Sequence, residues 1–289
     1  MTNNAVRVFA PAKINLFLHV GEKRSDGFHD LQSLVVFAGV GDDLSFSAAE
    51  ELSLSLEGPF AAALTHDPDN LVLKAGRALA QKASVPTNAK ITLNKNLPVA
   101  SGIGGGSADA AAALRGLSLL WDLQISNDEL LEIAATIGSD VPVCVSSTPA
   151  WMEGRGEHVT QIRQLPEVAM VLVNPGVAVS TAQVFSGLRT RRGVDMVKPL
   201  SFSSWSVLLD FLTQTSNDLE APAGEAQPVI CEVLDALRKV PGALLSRMSG
   251  SGATCFALFD SDADAKFAER RLTTDHPAWW VRATMIGAQ

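Results

Sequence analysis

The first fifty residues are dominated by period-two alternation and apolar runs. "AVRVFA" and "KINLFLHV" read as strands broken at Pro11, and "LQSLVVFAGV" and "DDLSFSA" as two more, separated by the turn "GVGDD". "ELSLSLEG" alternates strictly and predicts a half-buried strand. The period then changes. In "DNLVLKAGRALAQKA" the apolar positions fall at helical spacing, with Asp69 or Asn70 as the cap. "AKITLNKNL" returns to a strand and feeds the glycine-rich "GIGGGSA", after which "SADAAAALRGLSLLWDL" is a strong helix. "SNDELLEIAATIG" opens with Ser126 and Glu129 at capping-box spacing and stops at Gly138.

Beyond residue 155 the pattern restarts. "VAMVLVNPG" and "GATCFALFD" are buried strands; "SWSVLLDFLTQ", "PVICEVLDALRKV" and "DADAKFAERRL" are helices. Strands and helices mixed in both halves predict an α+β chain of two domains, residues 1–157 and 158–289. "RTRRGVDMVKP", Arg189 to Pro199, predicts an exposed loop.

Composition narrows the picture. In 289 residues, 47% are hydrophobic and 19% charged, which supports a sizeable core and argues against disorder. A net charge of -8 argues against nucleic-acid or anionic-membrane partners, but not against a small anionic substrate held in one basic pocket. Cys144, Cys231 and Cys255 lack zinc or redox spacing and read as reduced, mostly buried thiols of a cytoplasmic protein. The first twenty residues show no leader pattern, and no apolar run is long enough to span a membrane.

The chemistry concentrates at Gly102, Gly104, Gly105 and Gly106. Glycines between a strand and a helix present bare backbone N–H groups and the positive helix end to an anion. Ser107 and Asp109 are placed to cap that helix. The Walker loop is excluded, because Ser107 and Ala108 follow Gly106 where Lys and Ser/Thr are required. A dinucleotide-binding oxidoreductase is excluded too, because no second strand ends in an acidic residue after the helix. The loop has no lysine of its own, so its charge must be balanced from elsewhere.

"PVASGIGGGSA" resembles the central phosphate-binding motif of the GHMP kinases, and two further motifs of that family stand at suitable distances: "PAKINLFLHV" near the N-terminus and "SRMSGSGATCFALF" near the C-terminus. The resemblance implies an α+β, two-domain GHMP kinase fold, with an N-terminal ribosomal-protein-S5-domain-2-like and a C-terminal ferredoxin-like domain. It implies an ATP site formed by Pro98, Val99, Ala100, Ser101, Gly102, Ile103, Gly104, Gly105, Gly106, Ser107 and Ala108, with Asn70 and Lys95 near the nucleotide. Asn70 is equally a helix cap, and Lys95 equally a strand-end charge. Asp140 in "GSDVP" matches the family's catalytic aspartate and Lys13 in "PAKIN" its catalytic lysine. The two are expected to pair across the substrate hydroxyl. On residue type alone, Asp140 is a helix-terminal cap and Lys13 a solvated strand residue.

"PAKINLFLHVGEKRSDGFHDLQSL", "GGGSADAAA" and "GSDVPVCV" are similar to the branch of that family whose substrate is a cytidine diphosphate ester of methylerythritol. That branch reads cytosine with a Gly-Tyr-His segment. Here the segment is "GFH", so Phe28 supplies the ring and His29 the polar contacts, and the tyrosine hydroxyl is lost. Asn15 and Thr181 fall on family positions that contact substrate. No side-chain cluster suggests an all-protein metal site, so Mg²⁺ is expected to arrive with ATP, although Ser107 has a hydroxyl to offer it. A monomer or weak homodimer is expected. The rivals are another GHMP-type small-molecule kinase and a catalytically dead nucleotide-binding module.

Overall fold

The computed structural model describes residues 5–64 and 70–287. Asp69, one of the two expected caps, lies outside the described residues. In chain order the elements open with β1 (Val6–Lys23), β2 (His29–Ala48), β3 (Ser53–Glu57), α1 (Leu71–Ala83), β4 (Ala89–Asn94), α2 (Gly105–Leu120), α3 (Asn127–Ile137) and α4 (Val141–Ser146). They continue with β5 (Ala150–Gly154), β6 (His158–Gln161), β7 (Val168–Asn174), α5 (Thr181–Ser186), α6 (Trp205–Thr213), α7 (Glu220–Ala226) and α8 (Val229–Arg238). The chain closes with β8 (Leu245–Met248), β9 (Cys255–Phe259), α9 (Asp262–Asp275) and β10 (Trp280–Ile286).

Two expected breaks are absent. β1 runs straight through Pro11, and β2 runs through the expected turn at Gly39 to Asp43. Every residue from Ala10 to Gly21 is buried, so packing on both faces keeps the chain extended where local propensity would end it. Gly41 is a close-approach glycine, not a turn glycine: a Cβ there would collide with the Ala10 carbonyl and the Phe9 ring.

The residues form two compact units that interleave along the chain. The first holds the described residues of Met1–Ala12, Gly41–Val99 and Gly104–Ser147. Here the C-terminal end of β2 pairs antiparallel with β4, and β4 parallel with β3. Ala89, Ile91 and Leu93 point inward at every second position of β4. Helix α2 packs on α1 and α4, with Ala110, Ala111, Ala112 and Ala113 all buried; such small side chains let the neighbouring helices approach closely. The expected capping box is present: Ser126 Oγ accepts from Glu129 N–H, and the Glu129 carboxylate accepts from Ser126 N–H.

The second unit holds Lys13–Val40, Ala100–Ile103 and the described residues of Thr148–Gln289. The N-terminal end of β2 pairs with β5, which continues antiparallel into β6. A separate antiparallel sheet runs β10-β7-β9-β8. Its strand β7 is buried along its whole length, and Val171, Val173, Ala257 and Phe259 pack with Val233 and Leu237 of α8 and Leu272 of α9. Arg189–Pro199 has no regular structure, as expected, but it is tied down: Met196 exchanges two hydrogen bonds with the Gln32 amide, and Lys198 meets Glu153 at 2.6 Å. Cys144 and Cys255 are buried, Cys231 is exposed, and none is in a disulfide. Among the described residues no helix is long and apolar enough to cross a membrane.

Candidate active site

The glycine segment divides into parts with different physical duties. Gly102 (φ 76°) is demanded by protein backbone: a Cβ there would lie 2.5 Å from the Ser249 carbonyl oxygen and 2.6 Å from that of Gly252. The third motif thus serves as the seat of Ala100–Ile103. Ser249 Oγ donates to the Gly102 carbonyl (3.1 Å) and accepts from Asn15 N–H (3.1 Å), while Thr254 N–H donates to the Ser101 carbonyl (3.0 Å). Gly250 (φ 56°) passes so close to Gly102 that its own Cβ would sit 2.6 Å from that carbonyl. Ala100 holds φ 51°, a left-handed conformation rare outside glycine, which marks the segment as tightly determined.

Helix α2 starts at an N-cap Gly104 (φ 62°), which has no side chain to cap it. The expected capping by Ser107 and Asp109 is not found, because both lie inside the helix and Asp109 turns into the core. The first-turn N–H groups of a 16-residue helix therefore lack a side-chain cap, an arrangement suited to an anion. Gly106 is exposed, and a Cβ there would meet only Leu71 Cδ1 at 3.6 Å.

Beneath this turn lies a buried charge cluster. Lys95 Nζ donates to Asp42 Oδ2 (2.5 Å) and Asp109 Oδ2 (2.7 Å), and all three side chains are almost fully buried. Asp42 Oδ1 also accepts from the N–H groups of Asn96 and Leu97. Burial pushes the Asp109 carboxyl up, Lys95 pulls it down and Asp42 pushes it up again, leaving it at about 7. Burial pushes Lys95 down, but Asp109 and Asp42 together raise it. A Cβ on Gly105 would sit 3.1 Å from Lys95 Nζ, so the cluster supports the helix start directly. Lys95 is thus no exposed strand-end charge. Asn70 caps α1, its Oδ1 accepting from Val72 N–H at 2.9 Å. Pro98 is buried and Val99 half-buried where the chain leaves this unit.

Lys13 is 4% exposed, which removes the solvated-strand reading; its N–H donates to the Ile103 carbonyl (2.9 Å). Asn15, two residues on along the same face of β1, donates from Nδ2 to Ser33 Oγ (2.8 Å). Its Oδ1 is buried without a hydrogen-bond partner among the described residues. In the other unit, half-buried Asp140 occupies the N-cap position of α4 but makes no side-chain capping bond.

At the "GFH" turn, Phe28 is half exposed, with the Arg155 guanidinium 5.1 Å from its ring centroid. His29 Nδ1 lies 3.2 Å from the Gly21 carbonyl, which only accepts, so Nδ1 carries the proton and Nε2 of the neutral ring is an acceptor. The imidazole stacks on Phe185 of α5 at 5.5 Å and 24°. Thr181, at the start of α5, shares a hydrogen bond with Ser251 (2.9 Å).

The chain matches the family models of the GHMP kinases, the N-terminal domain over residues 70–148 and the C-terminal over 197–278. A 4-diphosphocytidyl-2-C-methyl-D-erythritol kinase of Rhodospirillum rubrum is 48% identical over 96% of this chain and 91% of its own. One of Ruegeria pomeroyi is 50% identical over 96% and 97%. The chain belongs to this kinase family. A crystal structure of 4-(cytidine 5'-diphospho)-2C-methyl-D-erythritol kinase superposes with a TM-score of 0.79 at 30% identity, covering 98% of this chain and 100% of that one. A homoserine kinase from Cytophaga hutchinsonii shares the fold at a TM-score of 0.72 and 17% identity. The expected α+β GHMP kinase fold is thus borne out, and the kinase uses ATP, as its family does.

Sequence reasoning passed over several residues of the kinase. Phe185 lies in a short helix with no periodic signal, and Arg155 in a hairpin turn. Ser249 stands inside the third motif, but its two hydrogen bonds to Asn15 and Gly102 join residues far apart in sequence. Among the described residues no group of three or more His, Cys, Asp or Glu side chains could hold a metal; the donors near the helix start are backbone N–H groups and the Ser107 hydroxyl, a set that suits a nucleotide and the ion it carries.

Proposed function

We infer that the kinase transfers the γ-phosphoryl group of ATP to the 2-hydroxyl of 4-diphosphocytidyl-2-C-methyl-D-erythritol, giving its 2-phosphate, within the non-mevalonate route to isoprenoid precursors. The observation that carries this reading is on β1. One strand sets two buried polar side chains, Lys13 and Asn15, beside the seat of the glycine segment, and Asn15 Oδ1 is left as an acceptor that a substrate donor would fill.

Asp140 accepts the proton of the 2-hydroxyl as the oxygen attacks the γ-phosphorus, and ADP leaves. Lys13 balances the charge that develops on the transferred group. The bare N–H groups at the start of α2, with Pro98–Ala108, cradle the phosphates, and Asn70 borders the nucleotide. Lys95 acts from beneath, through Asp42, Asp109 and the Gly105 turn. A magnesium ion brought by ATP would find the Ser107 hydroxyl at hand and would neutralise phosphate charge. Phe28 and Phe185 offer faces to the cytosine, and His29 Nε2 accepts from its exocyclic amine. Thr181 borders the methylerythritol end. In this reading residues 1–157 carry the lysine, the cytidine segment and the phosphate loop, and 158–289 form the C-terminal kinase domain. The protein is a cytoplasmic monomer or weak homodimer without nucleic-acid or membrane partners.

ADP release from MgATP is the direct test, offered the cytidylyl substrate, methylerythritol 4-phosphate, mevalonate and homoserine in parallel. The expected result is turnover of the cytidylyl compound far above the others. Preference for mevalonate or homoserine would assign another branch of the GHMP kinases. No turnover of any would leave a nucleotide-binding module.

A further inference from the structure

The hairpin turn between β5 and β6 meets the Phe28 turn. Leu31 of β2 pairs with Gly154 of β5, which sets Arg155 beside the residues just before Leu31. The hairpin is tight: Gly154 (φ 70°) and Gly156 (φ 113°) both hold left-handed conformations, and Arg155 N–H donates to the Glu157 carboxylate. Glu157 Oε1 lies 3.8 Å from Arg155 Nε and 4.0 Å from Arg24 Nη1. Arg24 in turn holds the Phe28 turn from both sides, through Asp26 (3.2 Å) and Asp30 (2.9 Å). The backbone of Phe28 is fixed as well, its N–H donating to Asp26 Oδ1 (3.1 Å) and its carbonyl accepting from Arg24 N–H (2.7 Å). What the network leaves free is the ring, 52% of the residue being exposed.

A phenylalanine ring has no hydroxyl with which to pin its orientation, and this chain contains no tyrosine. The planar Arg155 guanidinium over one face supplies the missing restraint. We propose that Arg155 is a positioning residue for the cytosine of the substrate: it covers one face of Phe28 and holds the ring, so that the base stacks on the opposite face. The proposal rests on the reading of Phe28 as a base platform. A ring already oriented loses less freedom when the base lands on it, so the gain belongs to cytidylyl binding and not to ATP.

The test is a double-mutant cycle on the full-length enzyme, with KM measured separately for the cytidylyl substrate and for ATP. Arg155→Gln keeps two of the three methylenes and a polar end, and removes the charge. The contact is exposed, so the expected rise in KM for the cytidylyl substrate is about two- to fivefold, with KM for ATP unmoved. Arg155→Lys, which keeps the cation, should recover part of the loss. In a Phe28→Ala background Arg155→Gln should add nothing, because the ring it acts through is gone. An unchanged KM in Arg155→Gln overturns the proposal. The same fold-loss in both backgrounds overturns it too, since Arg155 would then touch substrate itself. If Phe28→Ala alone leaves the cytidylyl KM unchanged, the platform reading fails, and the proposal with it. Melting temperatures of each variant separate these outcomes from misfolding; Arg155 is 42% exposed, so its replacement empties no core.

Discussion

Replacing Asp109 by asparagine removes a titrating group from beneath the glycine segment at the start of α2 while keeping its shape. The cluster of Lys95, Asp42 and Asp109 carries one cation against two carboxyls, all almost fully buried. Asp109 responds by holding its proton up to about 7, against an ordinary value of 3.8. The sign of the linkage follows. Between about pH 4 and pH 7 the folded chain keeps a proton that the unfolded chain gives up, so this group's contribution is fully present below about 4 and is lost as the pH rises through about 7. At about 1.4 kcal/mol per unit, ionising Asp109 in the fold costs about 4 kcal/mol more than in water. The introduced amide resembles the neutral acid at every pH. Thermal melts by circular dichroism from about pH 4 to about pH 8.5 should therefore show the two proteins close together at the acid end. The Asp109→Asn variant should gain on the parent as the pH rises from about 4 to about 7 and hold that lead above it, by an amount of the order of 10 °C at most for a chain of this size. The difference between the two curves isolates this site from every other titration. A variant that melts several degrees below the parent at pH 8, with a flat difference curve, would show that the ionised carboxylate is required and refute the reasoning.

Lys95→Met should act in the opposite direction, stranding two carboxyls in the core at a cost of about 3–5 kcal/mol in a denaturant melt; an unchanged midpoint would mean that the cluster is hydrated. Gly102→Ala drives a Cβ to 2.5 Å from the Ser249 carbonyl at a left-handed φ, and should lower the melting temperature and ATP affinity together; calorimetry with an ATP analogue would expose a wrong assignment by showing neither. Asp140→Asn should lower kcat by about 10²–10⁴-fold with little change in ATP affinity. The double variant with Lys13→Met should lose far less than the product of the two single losses, and strict multiplicativity would mean that the residues act separately. Arg247→Met removes a buried guanidinium that donates to the carbonyls of Leu16, Leu212 and Thr215, and should destabilise by at least about 1–3 kcal/mol through the acceptors left unpaired, read as a shifted urea midpoint.

The sequence by itself determined what depends on near neighbours along the chain. The Ser126–Glu129 capping box, the Asn70 cap and the amphipathic course of α1 are set within a few residues, and each stands as the pattern implies. The order of strand, glycine segment and helix from β4 to α2 was legible for the same reason, and the spacing of three motifs carried the family. Only the tertiary structure decided the rest. Pro11 and Gly41 carry local signals for a break, yet burial on both faces keeps β1 continuous, and β2 runs on through Gly41, whose missing Cβ makes room for the Ala10 carbonyl and the Phe9 ring. The missing Cβ of Gly102 is required by the backbone of Ser249 and Gly252, about 150 positions away. Lys95 finds its carboxylates 53 positions away at Asp42 and 14 away at Asp109, and Asn15 meets Ser249 across 234. Such pairings are set by which strands and loops the core brings together. Chain order does not encode that proximity, because a contact between distant residues exists only after the entropy of closing the intervening chain has been overcome by packing.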